Sequence, residues 1–253
     1  MNKILSIIIP TYNAAQFLDK GLSTFIMEDK EMMDKLEVLI VNDGTKDNSV
    51  EVAQKFVDRY PNTFKIINKE NGGHGSAINT GVENVTGKYF KCVDADDWVY
   101  TDALERTMKI LEKEDFDALI QSFITYDISK DLWEPRDIHC DNTDRIYNLK
   151  EIVDMWEQID YGMSFHGVTY NAQFYKSLGY KLIEGVFYED QEYATIPLSY
   201  AKRIRLLDDE LYVYRLGDVN QSVSTQSQLS RLPHFEAVLF KILEHEKNLD
   251  KLP

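Results

Sequence analysis

Short apolar runs alternate with longer amphipathic segments through the first hundred residues of the chain. The apolar runs are nearly continuous, as in strands covered on both faces of a sheet, and they predict strands over residues 4–10, 36–41, 64–67 and 89–93. Apolar residues at helical spacing predict helices between these strands, over residues 14–27, 48–60 and 76–85. This alternation is typical of βαβ units on a parallel sheet.

The pattern changes in the second half of the chain. A predicted helix at 102–112 and a predicted strand at 118–126 lead into a polar stretch, 133–144, which we interpret as an irregular hairpin. The elements that follow are mixed in order, and we predict a helix at 149–158, aromatic loops through 161–188, a helix at 191–202, a strand at 204–214 and an amphipathic helix from 233. Since no repeat or flexible linker appears, we expect one continuous domain.

The charge balance limits the partners of the chain. Lys and Arg number 28 and Asp and Glu number 43, which gives a formal net charge of -15. Such a surface repels phosphate backbones, so we expect no nucleic-acid partner. A negatively charged ligand would need local help from backbone amides, a few Lys or Arg side chains, or a divalent cation.

Cysteine usage and the N-terminal residues indicate the compartment. Cys92 and Cys140 lack CxxC spacing and clustered histidines, so neither a disulfide framework nor a zinc site is implied. The N-terminal apolar run is interrupted at Pro10, too early for a secretory signal. No apolar run approaches the roughly 20 residues of a membrane helix. We therefore expect a cytoplasmic protein.

Three carboxylates follow the fourth predicted strand, at Asp94, Asp96 and Asp97. In open α/β sheets ligands bind beyond the carboxyl ends of the strands. Two carboxylates separated by one residue can chelate a hard divalent cation, which can bridge the diphosphate of a nucleotide. The alternative is that Asp96 and Asp97 cap the next helix and Asp94 is solvated.

Two further strand ends carry candidate ligand contacts. Asp43, before Gly44, can accept the N3–H of uracil, although Asp–Gly is equally typical of a simple turn. The segment 71–76 follows the third strand and opens a helix, so its amides can face a phosphate or a sugar. Its glycines do not form a dinucleotide-binding fingerprint, because Ile78 stands where the last small residue belongs.

Together these segments resemble the family 2 glycosyltransferases of bacteria, over about residues 3–105. Five motifs stand in the family's order: Ile7 to Asn13, Val41 to Asp47, Asn71-Gly72-Gly73 with Asn79 and Gly81, Gly87-Lys88-Tyr89, and Asp94-Ala95-Asp96-Asp97. The resemblance implies the α/β GT-A fold, a Rossmann-like and mostly parallel sheet flanked by helices with a C-terminal acceptor-side helical extension.

The resemblance also implies an activity. It is the metal-dependent transfer of a sugar, with inversion, from a UDP-sugar to a hydroxyl of a glycan or lipid-linked glycan, as in polysaccharide biosynthesis at the cell envelope. The implied cofactor is Mn²⁺ or Mg²⁺. Peripheral association with the inner face of the plasma membrane is compatible with such an acceptor.

The family's donor contacts can be carried over onto matching positions. The resemblance assigns nucleotide-sugar binding to Pro10, Thr11, Tyr12, Asn13, Asp43, Gly44, Asn71, Gly72, Gly73, Asn79, Asp94, Ala95 and Asp96, with Asp94 and Asp96 also as metal ligands. Many members have Arg before the equivalent of Asn79, whereas this chain has Ile78, so that diphosphate contact is either absent or replaced by Lys69 or Arg215. The third metal ligand is open among His74, His139 and His166.

The catalytic assignment rests on a looser match. Tyr188-Glu189-Asp190-Gln191 is similar to the family's ED motif, which implies that Asp190 is the base that takes the proton of the acceptor hydroxyl. The alternative is that these acidic residues only begin a helix. Near this motif and the acidic loop, we expect acceptor contacts from Trp98, His166, Tyr188 and Glu189.

A later segment resembles one that closes over donor phosphates in bacterial members. It consists of Tyr212-Val213-Tyr214-Arg215 and Ser222-Val223-Ser224, in which Arg215 can neutralise leaving-group charge. An exposed strand end with a solvated Arg is the alternative. Functionally we divide the chain into a nucleotide-sugar-binding half at 1–105, an acceptor-binding and catalytic half at 106–226, and a C-terminal amphipathic helix at 227–253.

Two other functions fit part of the pattern. A sugar nucleotidyltransferase has a related sheet, but its early Gly-rich loop with Arg and Lys is missing here. A non-catalytic module that binds nucleotide-sugars or glycans would not need Asp94, Asp96 and Asp190, which are all present. Release of UDP from a donor distinguishes an enzyme from a module that is only stabilised by its ligand.

Overall fold

The computed structural model describes residues 2–140, 142–159, 162–218 and 225–249. Its strands are β1 (Leu5–Thr11), β2 (Leu36–Asp43), β3 (Phe64–Lys69), β4 (Tyr89–Cys92), β5 (Trp98–Val99), β6 (Ala118–Asp127), β7 (Leu132–Arg136), β8 (Ile146–Tyr147), β9 (Val168–Asn171) and β10 (Ile204–Leu216).

The helices are α1 (Ala15–Ser23), α2 (Lys30–Lys35), α3 (Ser49–Arg59), α4 (His74–Asn84), α5 (Thr101–Lys113), α6 (Leu149–Asp154), α7 (Ala172–Ser177), α8 (Asp190–Ser199), α9 (Thr225–Ser230) and α10 (Leu232–Leu249). A 3-10 turn at Trp156–Gln158 follows α6. No helix among the described residues combines the length and apolar character needed to cross a membrane.

All the described strands join one sheet. Its main path runs β3-β2-β1-β4-β9-β6-β10-β5, with β7 beside β6 and β8 beside β10. The first four strands are parallel, as the alternating pattern predicts. The second half is mixed, because β9 runs antiparallel to both β4 and β6, while β10 is parallel to β6.

Helices cover both faces of this sheet, which makes three layers. Apolar residues of α1, α3 and α5, such as Leu18, Phe56 and Leu104, form one core with the sheet. Residues of α4, α7 and α8, such as Ile78 and Tyr193, form the other. Both faces of β1 are therefore buried along its whole length, which explains its continuous apolar sequence.

Several predicted elements need correction. The segment 161–188, predicted as aromatic loops, contains β9 and α7, which are short and carry no clear periodicity. The predicted helix at 14–27 ends at Ser23. The prediction was too long because Phe25 and Met27 are also apolar, but they pack in the core from a non-helical segment. The short elements α2, β5 and β8 were not predicted, since two to six residues give too little pattern.

The functional division of the chain does not follow breaks in the fold. The boundary after residue 105 lies inside α5, and the sheet continues through both halves. The terminal helix α10 packs on α8, where Val238 is buried and Lys241 forms an ion pair with Glu192 at 2.9 Å.

The contact between α4 and β1 depends on a glycine. A Cβ at Gly81 would overlap the side chain of Ile8. We therefore expect Gly81→Ala to lower the free energy of unfolding by about 1–3 kcal/mol, although alanine favours helix. Urea unfolding checks this, with Glu83→Ala on the exposed side of the same helix as the control. A Gly81→Ala variant as stable as the wild type would contradict the close approach.

Candidate active site

The candidate site lies where the carboxyl ends of β1, β2 and β4 meet. Parallel pairing brings Thr11, at the end of β1, beside Asn42 near the end of β2. Asp94 follows β4 by two residues. The three predicted motifs therefore lie at one edge of the sheet, as the rule for open α/β sheets predicts.

The turn after β1 is held by side-chain hydrogen bonds. Asn13 has a φ of 51°, and its Oδ1 accepts from the Lys46 amide at 2.8 Å. Its own amide donates to Thr45 Oγ1 at 2.8 Å. Thr11 is buried, whereas Tyr12 is 48% exposed and offers its ring to a ligand. Pro10 is buried within β1.

Asp43 is the centre of a buried hydrogen-bond cluster. Its carboxylate accepts from Lys69 Nζ at 2.7 Å, from the Gly72 amide at 2.9 Å and from the Gly73 amide at 2.8 Å. The Asn71 side chain donates to the Asp43 carbonyl at 2.8 Å. The amides of Gly72 and Gly73 and the side chain of Lys69, which we predict to contact the donor, thus donate to the Asp43 carboxylate. That Asp43 reads the base stays a prediction.

Asn79 connects the two halves of the chain. This buried side chain donates to the Leu182 carbonyl and to Glu184 Oε1, both at 3.0 Å, and accepts from the Leu182 amide at 2.9 Å. The Gly185 amide donates to the Gly72 carbonyl at 3.0 Å. The amide group of Asn79, predicted to contact the donor, therefore anchors the segment that leads to Asp190.

The acidic loop places its carboxylates in different environments. Asp97 is buried, accepting from the Tyr212 hydroxyl and from the Arg215 amide at 2.8 Å. Burial raises the pKa of Asp97 well above its usual value, and Asp96 and Asp94 add to the effect. Neither Asp96 nor Asp97 caps α5, which begins without a side-chain cap.

Asp96 lies beside a buried guanidinium group. Arg215 Nη1 is 3.5 Å from Asp96 Oδ2, and its Nη2 is 3.1 Å from Asp218 Oδ2. The guanidinium also lies 4.6 Å from the ring centre of Phe17. The Arg215 side chain is thus packed against the acidic loop, and the alternative of a solvated strand end is wrong. The segment Ser222 to Ser224 lies outside the described residues.

A divalent cation fits this part of the site. Among the described residues, Asp94, Asp97 and His166 bring one ligand atom each within 4.8 Å of one another. Burial lowers the pKa of His166 to about 4, which keeps the ring neutral and able to bind a metal. Carboxylate oxygen and imidazole nitrogen suit Mn²⁺. Asp96, predicted as a ligand, is not in this group, and its metal role stays a prediction.

His74 bridges the acidic loop and the ED motif. Its Nε2 is 2.8 Å from Asp94 Oδ1, and its Nδ1 is 2.5 Å from Glu189 Oε1. Burial opposes a charged ring, but the two carboxylates outweigh it and raise the pKa of His74 well above the usual value. Sequence analysis had named His74 only as a possible metal ligand. In the sequence, the only indication of this role is that His74 follows two glycines at the start of α4. Its contacts with Asp94 and Glu189 become evident only when the positions of β4 and α8 are known.

Asp190 lies directly beside this bridge, as the first residue of α8. Burial raises its pKa to about 6, with Glu189 adding to the rise and His74 opposing it. Gln191 Nε2 donates to its Oδ2 at 3.3 Å. Glu189, predicted to contact the acceptor, is instead buried against His74. Tyr188 has a φ of 73° and meets the Phe235 ring edge-on.

Two predicted acceptor residues are in the walls of the site. His166 stacks on Tyr214 with ring centres 3.9 Å apart. Trp98 is 7% exposed, and Lys20 Nζ lies 3.1 Å from the centre of its ring. Trp98 therefore has one face covered by a cation, and a direct acceptor contact from it stays a prediction.

Comparison with protein families identifies the kind of chain to which these residues belong. Residues 6–179 match the family model described as glycosyl transferase family 2. The chain is 30% identical over 228 residues to the uncharacterized glycosyltransferase YibD of Escherichia coli, covering 87% of this chain and 63% of YibD. It is 26% identical over 223 residues to the uncharacterized glycosyltransferase EpsJ of Bacillus subtilis, covering 85% of this chain and 62% of EpsJ. The chain thus spans less than two thirds of these relatives.

Solved structures share the fold. TarS of Staphylococcus aureus (residues 1–349), in complex with UDP-GlcNAc, superposes with a TM-score of 0.69 at 19% identity, covering 85% of this chain and 59% of TarS. The mannosyltransferase PcManGT of Pyrobaculum calidifontis, in complex with GDP-Man and Mn²⁺, gives 0.63 at 18% identity, covering 98% and 70%. These similarities confirm the predicted GT-A fold.

Proposed function

We propose that this chain, which belongs to glycosyl transferase family 2, transfers a sugar from a UDP-sugar to a hydroxyl of a glycan or lipid-linked glycan, with inversion at the anomeric carbon. The observation that carries the proposal is the position of Asp190. It adjoins Glu189, which His74 connects directly to Asp94 of the acidic loop. The proposed base and the proposed donor site are thus parts of one cluster.

In the proposed reaction Asp190 accepts the proton of the acceptor hydroxyl. The hydroxyl oxygen forms a bond to the anomeric carbon while the bond from that carbon to the UDP oxygen breaks, and UDP leaves with both electrons of that bond. A carboxyl with a pKa of about 6 is ionised at neutral pH and is a stronger base than an ordinary aspartate. The pKa of Asp190 therefore suits it to accept the proton of the acceptor hydroxyl.

Cationic groups near the acidic loop support binding of the leaving diphosphate. Arg215 lies beside Asp96. Burial lowers the pKa of Lys20, and the positive charge of the nearby Arg215 lowers it further. Two neighbouring cations favour an anion between them. We assign to Arg215 the neutralisation of leaving-group charge.

Mn²⁺ or Mg²⁺ is the proposed cofactor, held by Asp94 and Asp96, with His166 as the third ligand. When bound, such an ion stabilises negative charge on the diphosphate. His166 is neutral, and Lys91 donates from its Nζ to the His166 carbonyl at 2.6 Å, which positions the ring. The Mn²⁺ in the PcManGT complex supports a divalent ion at this site.

The nucleotide and the surroundings of the protein belong to the same proposal. TarS is described with UDP-GlcNAc and PcManGT with GDP-Man, which supports a nucleotide-sugar donor in general. We favour uridine because of Asp43, and place the exposed ring of Tyr12 against the base. The proposed location is the cytoplasmic side of the cell envelope, with peripheral membrane association where the acceptor is lipid-linked.

Replacement of the proposed base should separate chemistry from binding. Asp190→Asn keeps the shape of the side chain but removes the proton acceptor, so transfer should fall at least about 100-fold. UDP binding, measured by calorimetry, should stay close to that of the wild type. The assay measures UDP released from UDP-sugars with lipid-linked and soluble glycan acceptors. Undiminished release by Asp190→Asn would remove this residue from the role of base.

Transfer should also depend on the ionisation of Asp190. The carboxylate is the active form, so kcat/KM should increase as the pH rises through about 6 and level off above it. Burial is the largest cause of the raised pKa of Asp190; among the charged groups, Glu189 and Asp94 raise this pKa and His74 lowers it. The residual activity of Asp190→Asn should lack this step. A flat wild-type profile from about pH 5 to pH 8 would argue against a base of this pKa.

Metal-dependent donor binding can be assigned by calorimetry with UDP and with GDP, in Mn²⁺ and in excess EDTA. Asp96→Ala should weaken UDP binding in Mn²⁺ at least about tenfold and have little effect in EDTA. Asp218→Ala is the control, since it removes the other carboxylate beside Arg215. His166→Ala tests the third ligand. If Asp96→Ala binds UDP normally and His166→Ala does not, the ion lies with Asp94, Asp97 and His166.

A further inference from the structure

The hairpin formed by β6 and β7 carries an aromatic cluster that the proposed reaction does not use. Tyr126 and Trp133 are paired across the hairpin, and their rings stack with centres 4.0 Å apart and planes 18° from parallel. Trp98 meets Tyr126 at 6.2 Å and Trp133 at 6.4 Å, edge-on in both cases. We call these three residues the aromatic platform.

The platform presents one large ring to solvent. Trp133 is 42% exposed, and its orientation is fixed by the stack on Tyr126. Trp98 supports the stack from the buried side. A rigid aromatic face loses little conformational entropy when a ligand binds, and it combines apolar area with a polar edge. Such a face suits a ring-shaped ligand with one apolar side.

The platform is continuous with the proposed donor site. A cavity of about 110 Å³ is lined by residues of both groups, Asp96 and Arg215 of the proposed donor site and Trp98 and Tyr126 of the platform. Trp98 also follows Asp97 directly in the chain. A ligand on the platform would therefore lie next to the acidic loop.

A polar group adjoins the stacked rings. Tyr126 donates from its hydroxyl to Asp131 Oδ1 at 3.0 Å. The carboxylate of Asp131 can also accept a hydrogen bond from a hydroxyl group of a ligand. The net charge of -15 disfavours an anionic lipid surface or a nucleic acid as the partner.

We propose that the aromatic platform binds a sugar ring of the acceptor glycan, with the C–H face of the sugar on Trp133 and a hydroxyl group on Asp131. This inference rests on the proposed function, because it assigns the acceptor to the carbohydrate class and gives it a second contact away from the reacting hydroxyl. The platform is a binding subsite, and the chemistry of transfer remains with Asp190.

The test compares two exposed tryptophans. The probes are cello-, chito- and manno-oligosaccharides at millimolar concentration, with binding measured by saturation-transfer NMR and calorimetry on the wild-type chain. Trp133→Ala should weaken binding of the best probe at least about tenfold, and Trp133→Phe should recover part of it. Trp156→Ala is the control, because Trp156 is 63% exposed on the 3-10 turn and outside the platform.

Other outcomes separate the two proposals. If no oligosaccharide binds, or if Trp133→Ala binds as well as the wild type, the platform is not a carbohydrate site. If Trp133→Ala instead changes the sedimentation of the protein, the platform is a surface between copies of the chain, and the proposal is wrong. UDP binding should be equal in all four proteins. Carbohydrate binding without any UDP binding would support the platform and contradict the proposed transferase function.

Discussion

The ion-paired contact of His74 with Asp94 and Glu189 holds the candidate site together. These carboxylates, with Asp190 beside them, would repel one another in a partly buried space if no cation stood between them. The imidazolium ring offsets that repulsion and gives each carboxylate a directed hydrogen bond. It also connects the end of β4 with the start of α8, so the halves that the motifs define separately become one site.

The remaining charges of the site are arranged around this contact. Asp97 is buried and accepts hydrogen bonds from the Tyr212 hydroxyl and the Arg215 amide, and burial raises its pKa well above the usual value. Burial lowers the pKa of Lys91 to about 7, and this lysine donates to the His166 carbonyl. Arg215 and Lys20 both line the cavity beside the acidic loop. A chain with a net charge of -15 thus has two cationic side chains near the place where a diphosphate would bind.

The loops on the donor side are braced from within the protein. Asp43 ties β2 to Lys69 and to the turn at Gly72, and Asn79 then ties α4 to the segment before Asp190. Each of these polar groups has partners despite its burial, so the loops keep their shape without relying on a ligand. Preorganisation of this kind reduces the ordering cost of binding.

The parallel half of the sheet follows from the sequence, because strands buried on both faces need continuous apolar runs such as that of β1. The sequence also predicts candidate site residues at the strand ends, since Asp43 and Asp94 follow such runs closely. The contacts of those side chains follow only from the folded chain. The pairing of His74 with Glu189, 115 residues apart, and the insertion of β9 between β4 and β6 leave no local pattern. The pKa shifts of the aspartates depend on burial, and burial is a property of the folded chain alone.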